Sequence, residues 1–118
     1  MMSRERFEER KADVERGKLA LREKDIDALC AVFARFPEVR EVRVFGSRAT
    51  GSAQRASDVD LAVTAPDMSQ GKWARLIDAL EEAPIIHFID ALRVDTLRNE
   101  RLCQKIDAEG VVIYIARD

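Results

Sequence analysis

The sequence predicts an α/β (α+β) chain, a small mixed β-sheet with helices packed on it. Three observations predict it. Apolar residues recur at three- and four-residue spacing in separate segments, as on one face of a helix. Short runs alternate apolar and polar, or are apolar nearly throughout, as in half-buried or buried strands. Pro37, Pro66, Pro84 and Gly110 punctuate these runs. The resulting order is helix, strand, loop, strand, helix, strand, helix, strand.

Residues 3–35 read as helix. Ser3–Lys18 is dense in Arg, Glu and Lys, with sparse apolar positions at Phe7 and Val14. It reads as a solvated helical extension or a docking surface, and residues 1–23 are set apart from a single domain at 24–118. From Asp25 the pattern tightens, with Ile26, Leu29, Cys30 and Phe33 on one face. Cys30 lies on that stripe and reads as a core residue. Pro37 closes the helix, since it lacks a backbone donor and disfavours a helical predecessor.

Val39–Phe45 alternates as a strand and stops at Gly46-Ser47. Arg48–Ser57 is small and polar, a loop. Asp58–Thr64 alternates again, with Val59, Leu61 and Val63 on one face and Asp58 and Asp60 on the other. Ser69 is expected to cap a helix through Ala83, with Trp73, Leu76, Ile77 and Leu80 turned to the core. Ile85–Leu92 reads as a third strand. Asp95 or Thr96 is the expected cap of a helix Leu97–Ala108, ended by Gly110. Val111–Ile115 reads as the last strand.

Composition narrows the functions. The 118 residues suit one domain, and 47% hydrophobic with 36% charged residues fits neither a disordered nor a membrane chain. No apolar run approaches the roughly 18 residues of a membrane span. The start lacks the apolar region of a secretory signal. A net charge of -2 leaves no electrostatic footprint for nucleic acid, so direct DNA binding is not expected. Two distant cysteines suit a reducing cytoplasm and argue against a zinc cluster or disulfide framework. A single histidine excludes most metalloprotease and Ser-His-Asp schemes.

Two features carry chemistry. Asp58 and Asp60 project from one strand face, where two carboxylates repel and a partly buried one is costly. Magnesium would offset that cost, because it takes oxygen ligands and few carboxylates. The second feature is Gly46-Ser47 at the end of a strand. Glycine lets backbone approach a ligand closely. A helix beginning near Ser47 would aim free N–H groups at an anion, to which the Ser47 hydroxyl and the Arg48 charge would add. Either feature alone is common in ordinary strands and turns. Arg55, Ser57, Trp73 and His87 read as solvated or structural residues.

Together the pattern is Phe45-Gly46-Ser47, ten residues, then Asp58-Val59-Asp60-Leu61. It resembles the signature of polymerase beta-like nucleotidyltransferases. The longer text GSRATG followed by SDVDLAV looks like the minimal nucleotidyltransferase (MNT) family, small proteins that partner a helical HEPN-type or substrate-binding subunit. The resemblance covers about Lys24–Ala116. It implies a third carboxylate on a later strand, matched by Asp90 in Ile86-His87-Phe88-Ile89-Asp90, with Asp95 the competing candidate. It also implies Asp58, Asp60 and Asp90 as catalytic metal ligands for two Mg2+ ions, typically about 3.5–4 Å apart. Gly46, Ser47 and Arg48 would be nucleotide-binding. Thr50 departs from the basic residue of many relatives.

The implied reaction moves an NMP group, AMP from ATP, onto an acceptor hydroxyl. The implied setting is a toxin–antitoxin pair, with this chain as the antitoxin that adenylylates its HEPN-type toxin. Related antibiotic nucleotidyltransferases carry an added helical domain that is missing here, so a partner or a second copy, as in a homodimer, is expected to complete the site. Three readings compete with this one. The chain neutralises a helical partner by occlusion without turnover, against which three intact acids argue. It is the catalytic subunit of a two-component small-molecule nucleotidyltransferase. It is a DxD glycosyltransferase, for which 118 residues are short.

Overall fold

A computed structural model of the chain describes residues 21–46, 49 and 58–116. The expected helix over Ser3–Lys18 lies outside the described residues. In chain order the elements are α1 (Glu23–Phe33), β1 (Glu41–Phe45), β2 (Val59–Thr64), α2 (Gln70–Glu82), β3 (Ile89–Arg93), a 3-10 turn at Val94–Thr96, α3 (Glu100–Glu109) and β4 (Val111–Ile115).

Four strands form one mixed sheet in the order β3-β2-β1-β4. β1 runs antiparallel to both β2 and β4, while β2 and β3 are parallel. A parallel pair needs a crossover connection, and α2 supplies it. Alternation sorts the side chains onto two faces. Val42, Val44, Val59, Leu61, Val63 and Ile113 are fully buried on one, against Ile26, Leu29 and Phe33 of α1 and Leu76 and Leu80 of α2. Each such side chain removed from water contributes about 1.5–3 kcal/mol. The other face is thinner. Phe45, Ala62 and Ile106 form its centre, with Leu92, Leu97 and Leu102 packed around them, so α3 covers the back of the sheet.

Local chemistry explains most element ends. The Ser69 hydroxyl accepts from the Lys72 N–H at 3.1 Å and caps α2 as its sequence predicts. α1 stops at Phe33 and the chain leaves it through a turn at Ala34–Phe36, ahead of Pro37. Asp25 is 1% exposed because Arg22 grips both of its carboxylate oxygens, at 3.0 and 3.1 Å. Cys30 packs on the main core, and its thiol donates to the Ile113 carbonyl at 3.2 Å. Ile113 sits where the β1–β4 register shifts, since Val42 pairs with Tyr114 but Arg43 with Val112.

Three expected boundaries are wrong, the first being the helix read over 3–35, since Leu21 and Arg22 are not helical and α1 begins at Glu23. The third strand does not begin at Ile85. Among the described residues only Ile89–Arg93 forms strand, in register with β2 from Val59 onward. Ile86 and Phe88 stand outside the sheet, 82% and 83% exposed. The last helix is Glu100–Glu109, not Leu97–Ala108, and its cap is Asn99, whose side-chain oxygen accepts from the Leu102 N–H. Asp95 and Thr96 are spent in the 3-10 turn instead. Gly110 does end α3, but with φ -66 rather than in a left-handed conformation. A Cβ there would collide with the Ile106 carbonyl and press on Arg43.

Candidate active site

The acid-bearing face lies at one end of β2. Asp58 precedes the strand and is exposed, Asp60 is within it and half-buried, and Asp90 on β3 is exposed. Asp60 and Asp90 are register partners across the parallel pair. Adjacent strands lie about 4.8 Å apart, and paired residues project to the same face, so the two carboxylates are neighbours. Phe45 is the register partner of Asp60 on the opposite side. This brings the end of β1, and hence Gly46, beside the same carboxylate.

Gly46 has φ +72, and a Cβ built there would lie 2.7 Å from the Asp60 Oδ2. Both the backbone conformation and the space therefore require glycine. The Gly46 carbonyl accepts from the Ala49 N–H at 3.1 Å, closing a turn directly after the strand. Ser47 and Arg48, together with Thr50, Arg55 and Ser57, lie outside the described residues.

The electrostatics are those of crowded anions. Burial pushes the Asp60 carboxyl above its usual range, and the charges of Asp90 and then Asp58 push it further. Lys105 on α3 pulls it back. Lys105 is adjacent to Ile106, which packs α3 against Phe45 and Ala62. That contact sets the ammonium on the acid side of the sheet. Reading the sequence as helix and strand misses Lys105, and its only signal is its place beside the apolar anchor of the last helix.

Asp95 stands at the other end. Its carboxylate accepts from the Ala65 N–H at 2.9 Å and pairs with Arg93 at 3.2 Å. Arg93 in turn donates to the Ala65 and Met68 carbonyls and lies over the Trp73 ring. Ala65 follows the last residue of β2, whereas Asp60 is near its first. Asp95 is thus separated from Asp60 and holds the turn that leads into α2.

The donor set suits a hard cation, with oxygen ligands only and mutual repulsion that a divalent ion would relieve. Among the described residues no three His, Cys, Asp or Glu side chains are grouped so that they could hold a metal ion as they stand. Nor, among them, is any helix long and apolar enough to cross a membrane.

A strand ending in a tight glycine turn, level with an acid pair and a third acid one strand away, agrees with a family match. The polymerase beta nucleotidyltransferase family matches residues 27–118. The chain belongs to that family. It is a nucleotidyltransferase, and its mixed sheet, with three α-helices among the described residues, is the polymerase beta-like fold. No curated protein matches it. Among solved structures, a chain of the substituted toxin–antitoxin MntA–HpeT is similar at 22% identity, over 82% of this chain and 76% of that one, with a TM-score of 0.63. A toxin–antitoxin structure with AMP-PNP aligns at 21% identity over 78% of this chain and 74% of that one, with a TM-score of 0.65. A complex of tri-AMPylated Shewanella oneidensis HEPN toxin with MNT antitoxin gives 21% identity, 79% and 68% coverage, and a TM-score of 0.52. At these identities the likeness is one of fold. All three align with this nucleotidyltransferase over most of its length.

Proposed function

We propose that this nucleotidyltransferase moves an AMP group from ATP onto a hydroxyl of a helical partner protein, as the antitoxin of a toxin–antitoxin pair. The observation that carries the reading is the pairing of Asp60 with Asp90, with the Gly46 backbone against the Asp60 carboxylate. The fold shared with toxin–antitoxin complexes, one with AMP-PNP and one with an AMPylated toxin, supports the choice of nucleotide and acceptor.

In this reading Gly46, Ser47 and Arg48 hold the triphosphate. Gly46 has no side chain to fill the space beside Asp60, so the phosphates can approach the carboxylates closely. The acceptor oxygen bonds to the α-phosphorus as the α–β anhydride bond breaks. Pyrophosphate leaves with that electron pair, and the hydroxyl proton passes to the Asp90 carboxylate. Asp58, Asp60 and Asp90 are the residues that would hold Mg2+, which supplies neutralisation of phosphate charge and alignment of the two oxygens. Lys105 adds a further positive charge on the same side.

The test is incubation of the chain and its helical partner with magnesium and ATP labelled at the α-phosphate. Label on the partner, released pyrophosphate, and loss of both in Asp60→Asn are expected. A neutralised but unlabelled partner would replace transfer with occlusion.

A further inference from the structure

Immediately upstream of Asp90 the surface changes character. Ile86 and Phe88 are the large apolar side chains standing in solvent among the described residues, 82% and 83% exposed. They border a groove of about 380 Å³ whose wall also includes Leu80, Glu81 and Ile85. Its lining ends at Ile89, the residue before Asp90. The Phe88 carbonyl accepts from the Val59 N–H at 2.8 Å, which pins Phe88 to the start of β2, next to Asp58. Ile86, Phe88 and Asp90 are exposed at alternate positions, with His87 and Ile89 partly buried between them. Isolated apolar residues on a surface need no explanation, but two that lead into a reaction centre do.

We infer that Ile86 and Phe88 form the acceptor subsite, and that its occupant is an extended polypeptide segment with an apolar anchor flanked by lysine or arginine. The inference rests on the transfer reaction proposed above and adds its acceptor-recognition residues. Three features select this occupant. First, β3 ends the strand order, so among the described residues its outer edge has no strand partner, and an extended segment can lie along such an edge. Second, two apolar side chains at alternate positions match the period of an extended peptide. Third, the charges around the groove are acidic. Glu81 is on its wall, Asp90 follows its last lining residue and Asp58 precedes the Val59 that bonds Phe88, so cationic residues in the occupant are favoured and acidic ones repelled.

The probe is an array of 12-residue peptides, each with one Ser, Thr or Tyr, varied in apolar, basic and acidic neighbours. The full chain is bound to it without nucleotide, and ATP affinity is measured separately by calorimetry. Strongest binding to peptides with an apolar residue beside the hydroxyl and basic flanks is expected. Ile86→Ser with Phe88→Ser should weaken that binding on the order of tenfold while leaving ATP affinity unchanged, since both side chains are exposed. Glu81→Lys should shift the preference towards acidic flanks. Binding that ignores sequence, or that the double variant retains, would overturn the subsite even where ATP binding and transfer stand. A chain that dimerises through this groove, and becomes monomeric in the double variant, would give the groove to a second copy and overturn the polypeptide assignment. Selective peptide binding without transfer would keep the subsite and remove the transfer reading.

Discussion

The Gly46 Cα lies so close to the Asp60 carboxylate that a single added carbon would stand 2.7 Å from Oδ2. The glycine turn and the acid strand therefore form one unit, and a change in either is felt by the other. Gly46→Ala should abolish transfer, because the methyl displaces the carboxylate. It should also destabilise the fold, since a left-handed backbone costs an alanine about 1–2 kcal/mol. In an Asp60→Ala background the contact is gone and only the backbone cost remains. Chemical unfolding of the four proteins should thus give a coupling of roughly 0.5–3 kcal/mol. Additive effects would show that the two residues do not meet.

Asp60 should make the magnesium-free protein less stable as pH rises. Its folded carboxyl holds its proton more tightly than the unfolded one, through burial and the charges of Asp90 and Asp58. Below the ordinary carboxylate range both states are protonated and the penalty is absent. As pH rises, the unfolded chain ionises first and stability falls until the raised folded value is passed. Asp60→Asn should remove this fall and raise the melting temperature at neutral pH. Melting curves across pH check it, and added magnesium should narrow the gap between the two proteins.

Asp90 and Asp95 should separate cleanly. Asp90→Asn changes an exposed carboxylate and should lose transfer while keeping or slightly raising its melting temperature, because it also relieves repulsion on Asp60. Asp95→Ala leaves the Ala65 N–H without its acceptor and Arg93 without its carboxylate. A cost of about 1–3 kcal/mol is expected, with transfer per folded molecule preserved. Denaturant titration beside a transfer assay tells the two apart. Loss of chemistry in Asp95→Ala at full stability would reverse the roles.

Lys105→Gln should push the Asp60 carboxyl further up, since the lysine charge is the influence that lowers it. Carbon-detected NMR titration of the side-chain carboxyl reads this directly. Under the proposed reaction the same variant should bind ATP more weakly. An unmoved Asp60 titration would place the ammonium away from the site.

What is local follows from the order of residues. Alternation sorted Val59, Leu61 and Val63 from Asp58 and Asp60, because neighbouring side chains on a strand leave opposite faces. Ser69 announced the start of α2, because its hydroxyl has a backbone N–H to accept from three residues on. The glycine at position 46 and the acid pair were legible as a motif, and the family resemblance rested on them. Tertiary structure alone decided which distant residues meet. Asp90 comes level with Asp60, and Asp95 goes to Ala65, because β3 pairs in parallel with β2 in one register. That register is set by packing across α2, which no window of sequence contains. The same pairing begins β3 only at Ile89 and leaves Ile86 and Phe88 in solvent, where the apolar run predicts more strand. Apolar character records a preference for burial, and only the fold determines which apolar residues find a partner.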